Sequence, residues 1–90
     1  MYEWNDAKNA RNIRERGLDF ALAKTFDWDT ALIIEDTRQD YGEPRWRAMG
    51  KIGNKLYALV YTLRGDTIRI ISLRRANSRE EAFYEETQET

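Results

Sequence analysis

Three segments of alternating apolar and polar residues, joined by two tight turns, restrict the fold of this chain more than any other feature. Arg45–Ile52, Lys55–Leu63 and Thr67–Arg74 each alternate in the way that half-buried strands do. Gly53-Asn54 separates the first two segments, and Arg64-Gly65-Asp66 separates the last two. Because turns this short join neighbouring antiparallel strands, the sequence predicts a meander in this half of the chain.

A shorter strand is predicted before the meander, at Ala31–Glu35. The turn-rich loop TRQDYGEP, which contains the only proline, connects it to the next strand. Together with the meander it makes a four-stranded antiparallel sheet. Tyr2–Trp4 also alternates, and this short piece suits an edge strand.

Capping residues predict two helices near the start of the chain and one near its end. Asn5 suits an N-cap, and Gly17 suits the left-handed residue that follows a helix. Asp19 can cap a second short helix directly afterwards. Ser78 and Glu81 fit the capping box of a final helix, which is expected to fray towards the end of the chain.

These elements predict one α+β domain over residues 1–90, with two N-terminal helices, a four-stranded antiparallel sheet and a C-terminal helix. Helices that cover one face of such a sheet leave the other face for water or a partner. Neither face of the last strand is purely polar, which is typical of a sheet that another chain covers. Strict alternation gives one face as Ile68, Ile70, Ser72 and Arg74, and the other as Arg69, Ile71, Leu73 and Arg75.

The residue types that the chain lacks exclude several classes of site. It contains no cysteine and no histidine, which excludes thiol chemistry and removes the usual general base near neutral pH. A zinc site would need carboxylates alone, so no metal and no cofactor are predicted. No apolar run is long enough to span a bilayer, and no signal-peptide pattern follows Met1, so a cytoplasmic protein is expected.

Positive charge is concentrated in the second half of the chain. Residues 45–79 contain nine basic residues and one acid, Asp66, a net charge of +8, whereas the whole chain carries −1. A surface of this kind attracts phosphate, and arginine, which outnumbers lysine 11 to 4, binds phosphate with two parallel hydrogen bonds. The alternative is a solvated sheet face that balances acidic helices within the same fold.

Four segments of the chain, in order, match the pattern of a known family. The first carries Trp4, Lys8, Asn12, Gly17 and Phe20 at the family's spacing. The other three are YGEPRWRAMG, VYTLRGDTIRIISLRRA and NSREEAFYEE. Over nearly its whole length the chain therefore resembles the BrnT family of bacterial type II toxins, which have a RelE-like ribonuclease fold.

The resemblance implies a RelE-like toxin that cleaves RNA without a metal ion, by attack of the ribose 2′-OH on the adjacent phosphate, and that arrests growth. It also implies a cognate BrnA-type ribbon-helix-helix antitoxin, through which alone the pair would contact operator DNA, and no membrane partner. The chain departs from the family at Glu15-Arg16, where the family often shows Lys-His. It departs again at Glu81-Ala82, where the family's last helix is often rich in arginine.

Cations must stabilise the phosphorane that this cleavage forms. The candidates come from the last predicted strand and the hairpin before it: Arg64, Arg74 and Arg75. Arg74 and Arg75 are predicted to hold the scissile phosphate. Because neighbouring residues of a strand point to opposite faces, both reach one phosphate only where the strand bends.

Proton transfer is the harder requirement without histidine, because arginine is a poor proton carrier. Glu43 is the candidate base, and its alternative is a salt bridge to Arg45 or Arg47. Tyr61 is a candidate for donating to a phosphate or stacking on a base, and its alternative is a place in the core or on a partner surface.

Three functions fit the sequence. The first is a ribonuclease toxin. The second is a catalytically weak or inactive antitoxin-binding module that acts as a co-repressor, and the third is a stand-alone RNA-binding domain. All three use the positive segment, but only the first requires proton-transfer groups beside the arginines.

Overall fold

A five-stranded mixed sheet is the centre of the structure, a computed structural model that describes residues 1–88. None of the helices in this part of the chain combines the length and the hydropathy that a membrane span requires. The elements are β1 (Tyr2–Trp4), α1 (Asp6–Arg16), a 3₁₀ helix (Phe20–Thr25), β2 (Leu32–Glu35), β3 (Trp46–Ile52), β4 (Lys55–Arg64), β5 (Thr67–Arg75) and α2 (Ser78–Gln88).

The strands lie in the order β1-β5-β4-β3-β2. Consecutive strands from β2 to β5 pair antiparallel, which confirms the predicted meander. β1 adds to the edge of β5 in parallel, with Tyr2 opposite Ile68. The prediction of a four-stranded antiparallel sheet is therefore wrong in strand number and in one pairing, although Tyr2–Trp4 is an edge strand as expected. Three alternating residues carry too little pattern to indicate their partner strand.

The second predicted helix is a 3₁₀ segment of six residues rather than an α-helix. The N–H of Leu22 donates to the carbonyl of Asp19 at 3.0 Å, three residues back. As predicted, Asp19 caps this segment, because its side chain accepts from the N–H of Ala21 at 2.9 Å. A segment this short cannot offset the cost of nucleating an α-helix, and three-residue spacing is common in short connecting pieces.

The caps of the two α-helices are partly as predicted. The Asn5 side chain accepts from the N–H of Lys8 at 3.0 Å, and Gly17 ends α1 in the left-handed region with φ 69°. The capping box of α2 lies one residue earlier than predicted. Its members are Asn77 and Glu80, since each side chain accepts from the other's N–H, at 2.8 and 3.0 Å. The fraying expected at the end of this helix lies outside the described residues.

A β-bulge in β5 changes which residues share a face. Val60 of β4 pairs with Ser72 and its neighbour Tyr61 pairs with Ile70, so Ile71 has no partner on β4. Ile70 and Leu73 consequently both lie in the core, 1% and 0% exposed. The expected division of the strand into two strictly alternating sets is wrong beyond Ile70. The face opposite the core, hereafter the outer face, carries Arg69, Ser72 and Arg74.

The core lies on one face of the sheet, beneath α1 and the 3₁₀ helix. α2 lies on the outer face, where its Glu80 pairs with Arg74. The hydroxyl of Tyr84 on α2 donates to the carbonyl of Thr30, just before β2, at 3.1 Å. Helices thus cover both faces, against the expectation of one, but α2 leaves much of the outer face open. The buried core residues are Phe20, Ala23, Phe26, Ala48, Leu59, Tyr61, Ile70 and Leu73.

Asn12 is a buried polar residue that ties α1 to the rest of the fold. Its side-chain amide donates to the carbonyl of Leu18 at 2.9 Å and to the carbonyl of Leu73 at 3.0 Å. The first bond joins the helix to the following loop, and the second joins the helix to β5. Both donors of the buried amide are therefore satisfied, as burial requires.

Gly50 lies where β3 passes under the ring of Phe26. A Cβ atom at this position would lie 2.5 Å from Cζ of Phe26 and 2.9 Å from Cε2. Real Cβ contacts are longer than this, so the close approach of strand and ring depends on glycine. Phe26 in turn packs edge-on against Trp28, with ring centroids 4.7 Å apart.

Replacing Gly50 by alanine is expected to lower the free energy of unfolding by about 1–3 kcal/mol, as overpacking of a core does. Urea unfolding of the wild type and the variant measures the change. Phe26→Leu removes the ring that the new methyl group meets, so Gly50→Ala should cost less in that background. An equal cost in both backgrounds would show that the clash is not the cause.

Candidate functional site

The outer face of the sheet is the floor of an open groove of about 580 Å³. Two adjacent rows of cross-strand neighbours run from β2 to β5, and the pairing register places them side by side. Most of these side chains are apolar, and each row contains one arginine. The first row is Ile34, Arg47, Val60 and Ser72, and the second is Leu32, Met49, Ala58 and Arg74.

Five arginines from separate parts of the chain line this groove, and Glu80 is the one carboxylate residue that lines it within the described range. They come from the end of α1, the loop between β2 and β3, β3, β5 and α2. Positive charge around an apolar floor suits an anionic ligand that also presents rings or apolar groups. The five are Arg16, Arg38, Arg47, Arg74 and Arg79.

Arg74 forms a two-bond ion pair with Glu80 inside the groove. Its Nη1 and Nη2 donate to Oε1 and Oε2 of Glu80, both at 2.8 Å. The same Oε1 accepts from the N–H of Asn77, so Glu80 also caps α2. These bonds lower the pKa of Glu80 to about 2, with the Arg74 guanidinium as the largest cause. Glu80 is therefore ionised at neutral pH and a weak proton acceptor.

Arg38 is paired with Asp36 in the same bidentate way. Its Nε and Nη2 donate to the two carboxylate oxygens at 2.8 Å each, and the Tyr41 hydroxyl donates to Oδ2 at 3.1 Å. Asp36 is buried, yet its pKa lies well below the usual range because the hydrogen bonds from Arg38 outweigh the cost of burial. The pair anchors the loop after β2 and holds Arg38 at the groove.

Arg47 occupies the middle of the outer face, and no acidic side chain of residues 1–88 forms an ion pair with it. It lies opposite Ile34 on one side and Val60 on the other. Its Nε is buried, and it has no hydrogen-bond partner among the described residues. The charge of Arg47 also contributes to the low pKa of Glu80, which places the two groups in one electrostatic cluster.

Arg74 and Arg75 lie on opposite faces of the sheet. Arg74 lines the groove, whereas the guanidinium of Arg75 lies over the ring of Tyr57, with its carbon 5.4 Å from the ring centroid. The bulge at Ile71 precedes both residues, so the alternation between them is regular. The structure therefore does not bring the two guanidinium groups together.

Tyr61 lies in the core rather than on the outer face, and only 6% of it is exposed. Its ring stacks on Trp46, with centroids 5.8 Å apart, and meets Trp28 edge-on at 5.2 Å. Burial raises the pKa of its hydroxyl. The ring therefore does not line the groove, and its position matches the structural alternative for Tyr61.

Glu43 and Arg64 form a second charged cluster, at the far end of the β4–β5 hairpin. A carboxylate oxygen of Glu43 lies 3.3 Å from Nε of Arg45, and the other lies 3.6 Å from Nη2 of Arg64. Arg64 pairs with Thr67, seven residues before Arg74 along β5. Because the bulge adds one residue to β5, this separation spans six positions of β4, from Arg64 to Ala58. At ~3.3 Å per residue the two arginines are about 20 Å apart, so they cannot contact the same phosphate.

Arg16, Arg38, Arg47 and Arg79 are groove residues that the sequence analysis did not select. For Arg47 a signal was present. The two-residue turn at Gly53-Asn54 sets the register of β3 against β4. In that register Met49 of β3 lies in the same row as Arg74, and Arg47 lies two residues before Met49, on the same face of the sheet. The other three arrive through tertiary structure, for which the sequence carries no comparable signal.

The groove is better equipped to bind an anion than to move protons. Arginines stabilise negative charge on a phosphorane but rarely transfer protons. Among the lining residues, Glu80 and Ser72 carry the groups that could do so. No cluster of acidic side chains in residues 1–88 is arranged to hold a metal ion.

A family model matches most of the chain. It describes the ribonuclease toxin BrnT of type II toxin–antitoxin systems, and it matches residues 4–80. The matched range includes β2, β3, β4 and β5 and all five groove arginines. The comparison with curated proteins gives no match.

The Arg74–Glu80 pair is expected to make stability depend on pH in the acid range. The pKa of Glu80 falls from 4.5 to about 2 on folding, so its stabilisation is complete above pH ~4.5 and is lost as the pH falls through about 2. Glu80→Gln keeps a cap acceptor but removes the charge. It should lower the free energy of unfolding at neutral pH by about 1–2 kcal/mol, and by less near pH ~2.5.

Urea unfolding of both proteins at the two pH values measures this difference. Asp36 has its own low pKa, but it contributes to both proteins alike. A gap between wild type and variant that stays constant with pH would contradict the assignment of the stabilisation to the ionised pair.

Proposed function

The chain belongs to the BrnT family of ribonuclease toxins of type II toxin–antitoxin systems, and from this premise we propose that it is an endoribonuclease that binds RNA in the outer-face groove and arrests growth. The observation that carries the proposal is the convergence of five arginines on one open, largely apolar surface. Charge of this sign and density attracts a phosphate backbone, and an apolar floor accommodates bases.

The proposed reaction needs no metal ion. The ribose 2′-oxygen attacks the adjacent phosphorus as it loses its proton, and the bond from phosphorus to the 5′-oxygen breaks. The products are a 2′,3′-cyclic phosphate and a 5′-hydroxyl, to which a proton is delivered. Arg74 is the proposed contact to the scissile phosphate, where its guanidinium would stabilise the charge of the phosphorane.

Arg64 and Glu43 lie too far from Arg74 to act on the same phosphate. In the proposal they contact RNA further along the strand or serve the hairpin alone. Arg75 and Tyr61 are assigned no step, because both lie away from the groove.

The proposed partner is a cognate BrnA-type ribbon-helix-helix antitoxin, through which alone the complex would contact operator DNA. The open groove offers such a partner an apolar floor and five arginines, which complement a segment of acidic and apolar side chains. The proposal places the toxin in the cytoplasm, where RNA and the antitoxin meet.

A second function is a catalytically weak or inactive toxin that binds the antitoxin and acts as a co-repressor. One observation favours it. Within the described residues, the groove's carboxylate is held by Arg74 at a pKa of about 2, so it is a poor base. Binding would survive this deficiency, whereas cleavage would be slow.

Induced expression without the neighbouring antitoxin gene is expected to stop growth, and co-expression should restore it. Arg74→Ala should relieve the arrest and lower cleavage by about 10²–10³-fold, because it removes a transition-state contact. Arg11→Ala is the matched control, since the ion-pair partner of Arg11 within the described part of the chain is Glu15, on the exposed side of α1. Growth that continues while the antitoxin still binds would reject the enzyme in favour of the co-repressor.

The ends of the cleaved RNA test the chemistry separately. Cleavage should persist in EDTA and leave a 2′,3′-cyclic phosphate, because the attacking nucleophile is the neighbouring 2′-OH. Replacing the 2′-OH at the cut site by hydrogen should abolish cleavage there. A strict requirement for a divalent cation, or a 3′-hydroxyl product, would contradict the mechanism.

A further inference from the structure

The one unsatisfied buried side-chain nitrogen of the described residues lies in the groove, at Nε of Arg47. Buried polar groups normally have partners, so an exception in a native fold is a place to look for a ligand. Arg47 has no ion pair within residues 1–88, although four other arginines and a carboxylate line the same groove. An incoming anion is the partner type that this donor lacks.

Arg47 and Arg74 are spaced to reach one anion. They lie on the outer face of β3 and β5, with Val60 and Ala58 of β4 between them. Two strand spacings and a two-residue offset put their Cα atoms about 12 Å apart. Two extended arginine side chains span that distance, so one phosphate can be held between their guanidinium groups.

Glu80 already occupies Arg74 in the way a phosphate would. Its carboxylate takes both terminal nitrogens of the guanidinium at 2.8 Å, and phosphate binds arginine through the same fork. The charge of Arg47 acts on Glu80 as well. The carboxylate is thus an internal anion on Arg74, in the same groove that Arg47 lines.

We propose that Arg47 and Arg74 together bind one phosphate of the RNA, and that Glu80 competes with this phosphate for Arg74. Arg47 is the residue that is free to bind first, and Arg74 joins when the phosphate displaces Glu80. Glu80 keeps its bond to the N–H of Asn77 as a cap of α2 after the exchange. The inference rests on the proposed function for the identity of the ligand, but it concerns binding and not cleavage.

The test is the affinity of the full-length protein for a fluorescent, 2′-O-methylated single-stranded RNA of about 10 nucleotides, which lies within the site sizes of such proteins and cannot be cleaved. Anisotropy titrations at several salt concentrations give the dissociation constant and the salt slope. The variants are Arg47→Met, Arg47→Lys and Glu80→Gln. Thermal melting of each variant confirms that it is folded, and Arg47→Lys replaces the methionine variant where the latter does not fold.

Arg47→Met should weaken binding by about tenfold. It should also reduce the slope of log affinity against log salt concentration by about one, as expected when one phosphate contact is lost. Arg47→Lys should recover part of the affinity, since lysine keeps the charge but lacks Nε and the planar fork. Glu80→Gln should tighten binding several-fold, because the amide competes less well for Arg74. This gain distinguishes a competitor from a residue that merely supports the fold.

Arg11→Met and Glu15→Gln are the matched controls. They disrupt an exposed arginine–glutamate pair of similar length, 2.9 Å, away from the groove, and they should leave the affinity within about twofold. Binding by Arg47→Met equal to that by Arg11→Met would overturn the role of Arg47. Unchanged or weaker binding by Glu80→Gln would overturn the competition.

The outcome is separable from that of the proposed function. A protein that binds the oligonucleotide with these variant effects but neither cleaves RNA nor arrests growth supports the inference and rejects the enzyme. A wild-type protein that shows no affinity for the oligonucleotide overturns the inference, and a groove that takes only an antitoxin segment would give that result.

Discussion

The extra residue in β5 decides which side chains each face of the sheet receives. Ile71 has no partner on β4, so the strand changes phase between Ile70 and Ser72. Leu73 consequently falls into the core beside Leu59, and Arg74 falls on the outer face beside Ala58. Without the bulge, the register would place Ser72 beside Leu59 in the core and Leu73 beside Ala58 on the outer face, and Arg74 would lie opposite Tyr57, on the face that Arg75 now occupies. The packing of Leu73 in the core and the position of Arg74 in the groove therefore both depend on this one irregularity.

The one-sided core explains why the outer face can be a binding surface. α1 and the 3₁₀ helix cover the face of the sheet that carries the core. On that face Gly50 allows the ring of Phe26 to approach β3, and the side chain of Asn12 bonds α1 to β5. The outer face has only α2 along part of it, held by Tyr84 and by Glu80. Its apolar floor therefore stays accessible, with Ile34 about half exposed at 48%. An apolar surface ringed by cations is unfavourable in water and gains most from a ligand that is both anionic and flat.

Much of the fold follows from local signals, and the exceptions have physical causes. The two tight turns and the alternating strands predict the meander, and Asn5 and Gly17 predict the bounds of α1. The parallel β1 has too few residues to show its partner. The bulged residue is an isoleucine beside another isoleucine, Ile70, so apolar alternation does not reveal the phase change. The capping-box spacing occurs twice, from Asn77 to Glu80 and from Ser78 to Glu81. Only the structure distinguishes these two registers.

The site is predictable only where register alone places a residue. Turn geometry and strand pairing put Arg47 and Arg74 on one face, although their proximity requires knowledge of the bulge. Arg16, Arg38 and Arg79 reach the groove from α1, a loop and α2, and nothing in their local sequence indicates that they converge. The sequence therefore predicts the positive charge of residues 45–79, but it does not predict which surface of the fold carries the arginines.

Because the chain has no histidine, carboxylates are the remaining proton acceptors to consider, and Glu80 is the one that lines the groove within the described residues. Arginines can hold the charge of a phosphorane, but a base must still take the 2′-proton. In the free protein Arg74 keeps the pKa of Glu80 at about 2. A phosphate that takes Arg74 for itself removes the largest cause of that low value and adds a negative charge nearby, and both changes raise the pKa of the carboxylate. In the proposed exchange, the anion that binds Arg74 therefore also raises the proton affinity of the carboxylate that it displaces.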